Sequence, residues 1–223
     1  RARDLLETVV TDCDLSNAAF PHLSWRTGAL AGHPVRLYRI SFTGEMSFEL
    51  HCDARYGAEV WAALQAAGVA FDLTVYGTET MHVLRAEKGY LIIGQETDGT
   101  VGPDDLGLGW AIAKKKPDFI GKRSLARPDM QRADRKQLVG LLPAAPIPEG
   151  AQLTATATDT AMLGHVTSSY HSPVLDTPFA LALVAGGRAR HGETVQARFG
   201  GQATPCRIVE PVFHDASGER LDG

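Results

Sequence analysis

Residues 42–50 read FTGEMSFEL, and this stretch decides how the first part of the chain folds. Strand-forming residues run up to a Thr-Gly turn and resume after it, a pattern typical of a β-hairpin. We therefore predict two antiparallel strands over residues 35–42 and 47–52. This hairpin determines which side chains of the second strand can reach the core.

The second strand of the hairpin carries a glutamate between two apolar residues. Because successive side chains of a strand alternate between faces, Phe48 and Leu50 share one face, and Glu49 and His51 share the other. A carboxylate on the face away from the core can accept two parallel N–H donors, as a guanidinium or an amino-pyrimidine ring presents them. From spacing alone, a solvated strand residue is the simpler interpretation of Glu49.

The rest of the first block alternates helical and extended patterns. Apolar residues at helical spacing predict one helix that begins after Asp53 and another over residues 78–88. Aromatic and β-branched residues predict strands over residues 71–76 and 108–113, and a short helix follows over residues 119–127. The order β-β-α-β-α-β indicates an α+β lobe, which we describe as ferredoxin-like, with the helices on one face of the sheet.

The second block, from Lys136 to the end, shows no helical pattern. Short apolar runs alternate there with clusters of Gly, Pro, Asp and Ser, which predicts a small antiparallel β-barrel. The polar stretch over residues 127–134 is the candidate linker between the two blocks. The predicted barrel strands cover residues 138–142, 162–168, 179–184, 194–198 and 204–209.

The composition is that of a globular protein, with neither nucleic acid nor a membrane expected as a partner. The chain has 223 residues, of which 44% are hydrophobic and 22% charged, enough for one large domain or two smaller ones. A net charge of -4 does not provide the clustered basic face that nucleic-acid binding needs. The one basic cluster, around Lys114–Lys116, is interpreted as a solvated loop, and no run approaches the ~20 apolar residues of a membrane span.

Three cysteines, Cys13, Cys52 and Cys206, bear on the compartment and on metal binding. They form no CxxC motif and are accompanied by no histidine pair at ligand spacing. The sequence therefore predicts no metal site and no disulfide framework. Free thiols fit a reducing compartment, so we expect a cytoplasmic location.

No motif in the sequence gives a reaction. The glycine-rich run over residues 99–109 lacks the spacing of a phosphate-binding loop, and no serine lies in a GxSxG elbow. His165 and His171 are therefore interpreted as structural histidines. Arg85 falls near the apolar face of its predicted helix, so we expect it to be buried with a partner. Residue patterns alone leave Glu49 as the one candidate recognition point.

Several stretches, in the same order along nearly the whole chain, resemble one family, the tetrahydrofolate-binding glycine-cleavage T-proteins or aminomethyltransferases. The sequences of residues 42–50 and 81–99 are most similar to those of the α subunits of heterotetrameric sarcosine oxidases. The stretches that carry the resemblance are RARDLL, SFTGEMSFEL, MHVLRAEKGY, DDLGLGWAI, FIGKRSL, GHVTSSYHSPVL, ALALV, RHGETV and PVFHD.

The resemblance implies a three-lobed fold, two α+β lobes and a C-terminal β-barrel, around a central folate. In relatives, the last glutamate of the pattern Tyr-x-Gly-Glu-x-Gly-x-Glu hydrogen-bonds the pteridine, and that position is Glu49 here. A pterin presents paired N–H donors that one carboxylate can accept. Phe42 occupies the aromatic position at the head of the pattern, and Tyr90 and Trp110 are further candidates to pack on the ring.

The sequence also departs from the T-protein pattern. Phe42 replaces a tyrosine, Ser47 replaces a glycine, and Met81 stands where T-proteins carry an arginine. These differences favour the oxidase branch of the family. Relatives supply a catalytic aspartate from the first lobe, upstream of Arg1, so we expect a truncated chain to which no catalytic residue can be carried over.

The resemblance finally implies an organisation and a role. We expect residues 1–30 to be a remnant of the first lobe, residues 31–130 to form the folate-binding lobe and residues 135–223 to form the barrel. The implied role is the tetrahydrofolate-binding part of a sarcosine oxidase α subunit, with β, γ and δ subunits as partners and FAD, FMN and NAD bound elsewhere. The alternatives are a stand-alone aminomethyltransferase and a non-catalytic structural lobe for subunit contacts.

Overall fold

The computed structural model describes all 223 residues, Arg1–Gly223. The chain divides into two units within the helix Thr78–Glu87. The first unit comprises Arg1–Leu84 together with Ser217–Gly223, and the second unit comprises Arg85–Ala216. No helix combines the length and the hydropathy of a membrane span.

The first unit is built on a four-stranded antiparallel sheet whose strands follow one another in chain order. Two residues with positive φ, Ala31 and Gly32, make the tight turn of its central hairpin, in which Leu30 pairs with His33. Such two-residue turns match the twist of the strands that they join. The strands are β1 (Val10–Thr11), β2 (Ser24–Leu30), β3 (His33–Arg39) and β4 (Glu49–Cys52).

Helices cover one face of this sheet. The core of the unit joins Leu5 and Leu6 of the first helix to Val60 of the second, and both to Val35 and Leu37 of β3. Apolar side chains three and four positions apart lie on one side of a helix, which explains why these helices pack there. The helices on the sheet are α1 (Ala2–Val9) and α2 (Gly57–Gly68). The division between the two units falls within a further helix, α3 (Thr78–Glu87).

The second unit contains a closed six-stranded antiparallel barrel with the order β10-β5-β8-β7-β6-β9. Small and branched residues fill its interior, among them Val139, Ala182, Val184 and Ala197. Small inward side chains suit the narrow interior of a barrel of this size. The strands are β5 (Lys136–Pro143), β6 (Gln152–Thr154), β7 (Gly164–Ser172), β8 (Thr177–Ala185), β9 (Thr194–Phe199) and β10 (Gln202–Val209).

The predicted fold class is confirmed: an α+β lobe is followed by a small antiparallel barrel. All five barrel strands expected from the sequence are present, and β6 is an additional strand. The hairpin of residues 35–52 is also confirmed, although β3 already ends at Arg39 and β4 begins only at Glu49. The sequence patterns predict no strand at β2, which pairs with β3 along its full length.

Two predicted strands in the first block are wrong. Phe71 is the last residue of a short 3-10 helix, Val69–Phe71, that continues from α2, and Asp72 adopts a left-handed conformation that ends this 3-10 helix instead of starting a strand. Residues 108–113 contain a 3-10 turn, Gly109–Ala111, in place of a strand. The short helix expected over residues 119–127 is reduced to one turn, α4 (Lys122–Leu125).

Candidate functional site

Glu49 is the first residue of β4, and its Cα is paired with that of Tyr38 on β3. Its side chain is 53% exposed, and Oε2 lies 3.3 Å from Nε2 of His51, two residues along the same strand. The carboxylate is therefore accessible on the open face of the sheet, with a histidine rather than an arginine as its nearest partner.

The opposite face of β4 is part of the core, as the alternation of side chains predicts. Phe48 and Leu50 pack against the hydrophobic cluster of the first unit. The Phe48 ring lies 5.8 Å from the ring of the fully buried Phe20, measured between centroids. This packing fixes the strand and so directs Glu49 and His51 away from the helices.

Two rows of side chains cross the open face of the sheet in register. Trp25 on β2, Tyr38 on β3 and Glu49 on β4 are successive Cα partners, and we call this set the outer row. Thr27, Arg36 and His51 form the next row in the same way. The Tyr38 ring lies edge-on to the His51 ring, with 4.9 Å between their centroids. Aromatic, cationic and anionic groups are thus brought together on one open surface.

A groove of about 360 Å³ lies along the second row, Thr27, Arg36 and His51. Cavities of about 300 Å³ or more are of a size that binds small molecules. Arg55 donates to the Asp53 carboxylate from its side chain and its backbone N–H, and these bonds hold the pKa of Asp53 below its ordinary value. The groove is lined by Thr27, Gly28, Pro34, Val35, Arg36, His51, Cys52 and Asp53.

The connection between β3 and β4 holds the second site residue predicted in this unit. The Ser41 hydroxyl accepts hydrogen bonds from the backbone N–H groups of Thr43, at 3.3 Å, and Gly44, at 2.9 Å. Gly44 has a φ of 83°, a conformation that glycine adopts without strain. Phe42 lies on this fixed turn and is 38% exposed, so its ring is accessible in the same unit as Glu49.

The other two predicted site residues belong to the second unit. The backbone of Tyr90 is held by Arg85, because its N–H donates to the Arg85 carbonyl and its carbonyl accepts from Nη1 of Arg85. Trp110 lies on the 3-10 turn Gly109–Ala111 and is 79% exposed. The structure thus places two of the four predicted residues, Phe42 and Glu49, in one unit and the other two, Tyr90 and Trp110, in another.

A buried polar network in the second unit centres on Arg85, which is paired as the sequence predicted. Its Nη1 donates to Oε2 of Glu96 at 2.9 Å, and neither side chain is exposed to solvent. Its Nη2 donates to the hydroxyls of Ser168, at 2.7 Å, and Tyr170, at 3.3 Å. Ser168 in turn donates to Glu96. The sequence analysis missed Glu96 as the partner, and only the helical spacing of Arg85 signalled that a partner was needed.

Two family models together match most of the chain. The model described as the GCVT N-terminal domain matches residues 1–116. The model described as the glycine cleavage T-protein C-terminal barrel domain matches residues 136–215, which contain the barrel.

Curated relatives include sarcosine oxidase α subunits and aminomethyltransferases. Sarcosine oxidase subunit alpha of Corynebacterium sp. (strain P-1) is 47% identical over 232 aligned residues, and that of Rhizobium meliloti (strain 1021) is 42% identical over 235. The chain is covered to 100% and 99%, but it spans only 24% and 23% of the length of these relatives. An aminomethyltransferase of Halothermothrix orenii is 32% identical, covering 85% of this chain and 53% of the relative.

A solved structure shares the fold. The glycine cleavage system aminomethyltransferase T from Bartonella henselae superposes with a TM-score of 0.70 at 25% identity. The match covers 82% of this chain and 50% of that structure. The order of the elements, the barrel and both family models lead to the same conclusion: the chain belongs to the glycine cleavage T-protein family.

Proposed function

We propose that this chain is the tetrahydrofolate-binding part of a sarcosine oxidase α subunit. The identity of 42–47% to such subunits over essentially the whole chain supports this branch, since aminomethyltransferase relatives are 29–34% identical. The sequence pattern that ends at Glu49 supports folate as the ligand. The observation that carries the proposal is the exposed carboxylate of Glu49 on an open sheet face.

The residues present fit a reduced pterin. The amino group and the adjacent ring N–H of a pterin present two parallel donors, and a carboxylate accepts such a pair with charge-assisted hydrogen bonds. Glu49 contacts His51 through Oε2 at 3.3 Å, a long contact that a better donor can displace. Phe42, Tyr90 and Trp110 are proposed as further contacts with the ligand.

In the full oxidase, flavin would supply the two-electron oxidation of sarcosine, and tetrahydrofolate would supply the nucleophilic nitrogens that accept the one-carbon unit. Sarcosine, O₂ and tetrahydrofolate are thereby converted to glycine, hydrogen peroxide and 5,10-methylenetetrahydrofolate. We propose that this chain binds and orients the folate acceptor, and that FAD, FMN, NAD and the β, γ and δ subunits belong to the remainder of a cytoplasmic complex. No residue of this chain is assigned the acid–base step.

The test is calorimetric titration of the chain with 5-formyltetrahydrofolate. We expect saturable binding that Glu49→Gln weakens by about 10- to 100-fold, since a hydrogen bond to a charged group contributes about 1.5–3 kcal/mol. Glu59→Gln is the matched control, because Glu59 is exposed in the same unit and is likewise paired with a histidine, His33. A folded wild-type chain that does not bind would instead support the structural-lobe alternative.

The second candidate is a stand-alone aminomethyltransferase, which the aminomethyltransferase relatives and the Bartonella henselae structure favour. Met81 stands where T-proteins carry an arginine, which argues against a stand-alone aminomethyltransferase. The discriminating assay supplies tetrahydrofolate and a lipoyl carrier loaded with methylamine. Release of ammonia with formation of 5,10-methylenetetrahydrofolate would establish this alternative and overturn the oxidase assignment.

A further inference from the structure

The outer row has a feature that Glu49 alone does not explain, namely two aromatic rings in line with the carboxylate. Trp25, Tyr38 and Glu49 are paired in register on three neighbouring strands. Neighbouring strands are about 4.8 Å apart, so the row extends over about 10 Å of one sheet face. A row of this length matches a flat ring system whose edge meets Glu49 and whose face lies along the aromatic side chains.

The two rings are held in place although they lie at the surface. Their centroids are 6.5 Å apart with an interplanar angle of 34°. The guanidinium of Arg36 lies 5.5 Å from the centroid of the Trp25 ring and donates to the Tyr38 hydroxyl at 3.3 Å. A cation over an indole face is attracted by the ring quadrupole, so Arg36 restrains both rings. Both rings are therefore contacted by Arg36 within the protein itself.

The exposure of Trp25 is also informative. Its side chain remains 55% exposed on a sheet whose opposite face carries a complete core. Exposed aromatic side chains next to oriented polar groups are typical of binding surfaces, because the ring gives contact area and the polar group gives direction. Arg36, Glu49 and His51 surround the rings with charge or potential charge, which suits a polar heteroaromatic ligand better than an apolar helix.

We propose that the outer row is the recognition surface for the reduced pterin ring of the folate, with Tyr38 and Trp25 as the platform under the ring. This inference rests on the proposed function, because Glu49 orients the donor edge of the same ring. Tyr38 packs against the face of the pterin next to the Glu49 contact, and Trp25 continues the platform toward the aryl portion of the ligand. Arg36 is a positioning residue that holds the two rings.

The test extends the titration with 5-formyltetrahydrofolate to platform variants of the full chain. Stacking on an aromatic side chain contributes enough that we expect Tyr38→Leu and Trp25→Leu each to weaken binding by about tenfold. Tyr38→Phe keeps the ring and is expected to bind within about threefold of wild type. Trp61→Leu is the matched control, since Trp61 is 56% exposed in the same unit but lies on α2, which packs on the other face of the sheet.

The variants distinguish a failure of the platform from a failure of the proposed function. Weaker binding in both leucine variants, together with competition by tetrahydropterin that lacks the aminobenzoylglutamate tail, supports the platform. Wild-type affinity in both leucine variants, with Glu49→Gln still impaired, overturns the platform and leaves the proposed function standing. If the folded wild-type chain does not bind 5-formyltetrahydrofolate, the proposed function fails and the platform inference fails with it.

Discussion

Arg85 shows how one buried charge organises the second unit. A guanidinium without solvent exposure is costly unless its donors are paired. Glu96, Ser168, Tyr170 and the Tyr90 carbonyl supply acceptors for both Nη atoms of Arg85, and its Nε alone has no partner. The network joins the end of α3 to strand β7 of the barrel within the unit. Its effect is to fix the backbone around Tyr90, one of the proposed ligand contacts.

We expect Arg85→Met to lower the free energy of unfolding of the second unit by about 3–5 kcal/mol, because Glu96 then stays buried without its cation. The double variant Arg85→Met/Glu96→Gln removes both charges and should lose markedly less. Urea denaturation followed by circular dichroism measures both. Arg132→Met is the control, since Arg132 and its partner Asp134 are 63% and 64% exposed and contribute about 1 kcal/mol at most. A double variant as unstable as the single one would refute the charge argument.

His165 gives a prediction of pH dependence. Burial lowers the pKa of His165 below its ordinary value of 6.5, nearby Lys136 lowers it further, and Asp98 opposes the shift. The unfolded chain therefore binds a proton more readily than the folded one, so stability falls as the pH drops below about 6.5 toward the folded pKa. His165→Gln should flatten this decline between pH 7.5 and 5 in thermal unfolding. His171→Gln, on the same strand with an exposed ring, should keep the wild-type profile.

At the scale of the elements, close backbone contacts decide what the barrel tolerates. A Cβ at Gly164, in β7, would lie 1.9 Å from the carbonyl oxygen of Leu183 in β8. Backbone atoms of paired strands cannot move aside without loss of the ladder. Position 164 therefore requires glycine because the two strands pack closely, and its φ is not in the left-handed region.

We accordingly expect Gly164→Ala to destabilise the second unit by about 3 kcal/mol or more, at or above the upper end for overpacking in a core. Thermal unfolding followed by far-UV circular dichroism measures the effect. Gly99→Ala is the control, because Gly99 lies in the same unit and a Cβ there meets no atom within 4 Å. Equal melting temperatures for the two variants would show that β7 and β8 can separate to admit a methyl group.

The elements also show which parts of the fold the sequence could reveal. The barrel strands were predicted because each is a short apolar run between turn residues, a local signal. Residues 71–76 have a β-forming composition but form no strand, because a helical segment ends there. The Leu73 N–H donates to the Gly68 carbonyl, and Asp72 is left-handed. Propensity is weak when a neighbouring element satisfies the backbone differently.

In the candidate site, too, local sequence patterns predict some features and not others. The orientation of Glu49 followed from the two-residue period of a strand and from the packing of Phe48 and Leu50. The alignment of Trp25 and Tyr38 with Glu49 depends on the register of three strands, which no local pattern contains. Without an assignment for β2, the outer row could not be derived from the sequence.

At the scale of the whole molecule, the chain returns to the first unit at its end. Ser217–Gly223 belongs to that unit, although residues 85–216 lie between it and the rest. Asp222 Oδ1 accepts from Nη2 of Arg39 at 3.1 Å, and the Leu221 carbonyl accepts from the same atom at 3.2 Å. Because Arg39 is 1% exposed, burial lowers its pKa, Arg3 lowers it further, and Asp222 opposes the shift. The C-terminal segment thus supplies the carboxylate that a buried cation of the sheet requires.

We expect Asp222→Asn to lower the stability of the first unit by about 1 kcal/mol, a modest loss because Asp222 is 74% exposed and water screens the pair. In a Trp110→Phe background the remaining tryptophans, Trp25 and Trp61, both lie in the first unit, so their fluorescence during urea unfolding reports on it alone.

Glu7→Gln removes an exposed carboxylate of the same unit and should leave the unfolding curve unchanged. If Asp222→Asn behaves like this control, the Phe20 and Leu221 carbonyls suffice for Arg39, and the returning segment acts through its backbone. If Asp222→Asn lowers the urea midpoint and Glu7→Gln does not, the Asp222 carboxylate stabilises the return of the chain to the first unit after residues 85–216. In that case a truncation before Ser217 should destabilise the first unit by at least as much as the single substitution.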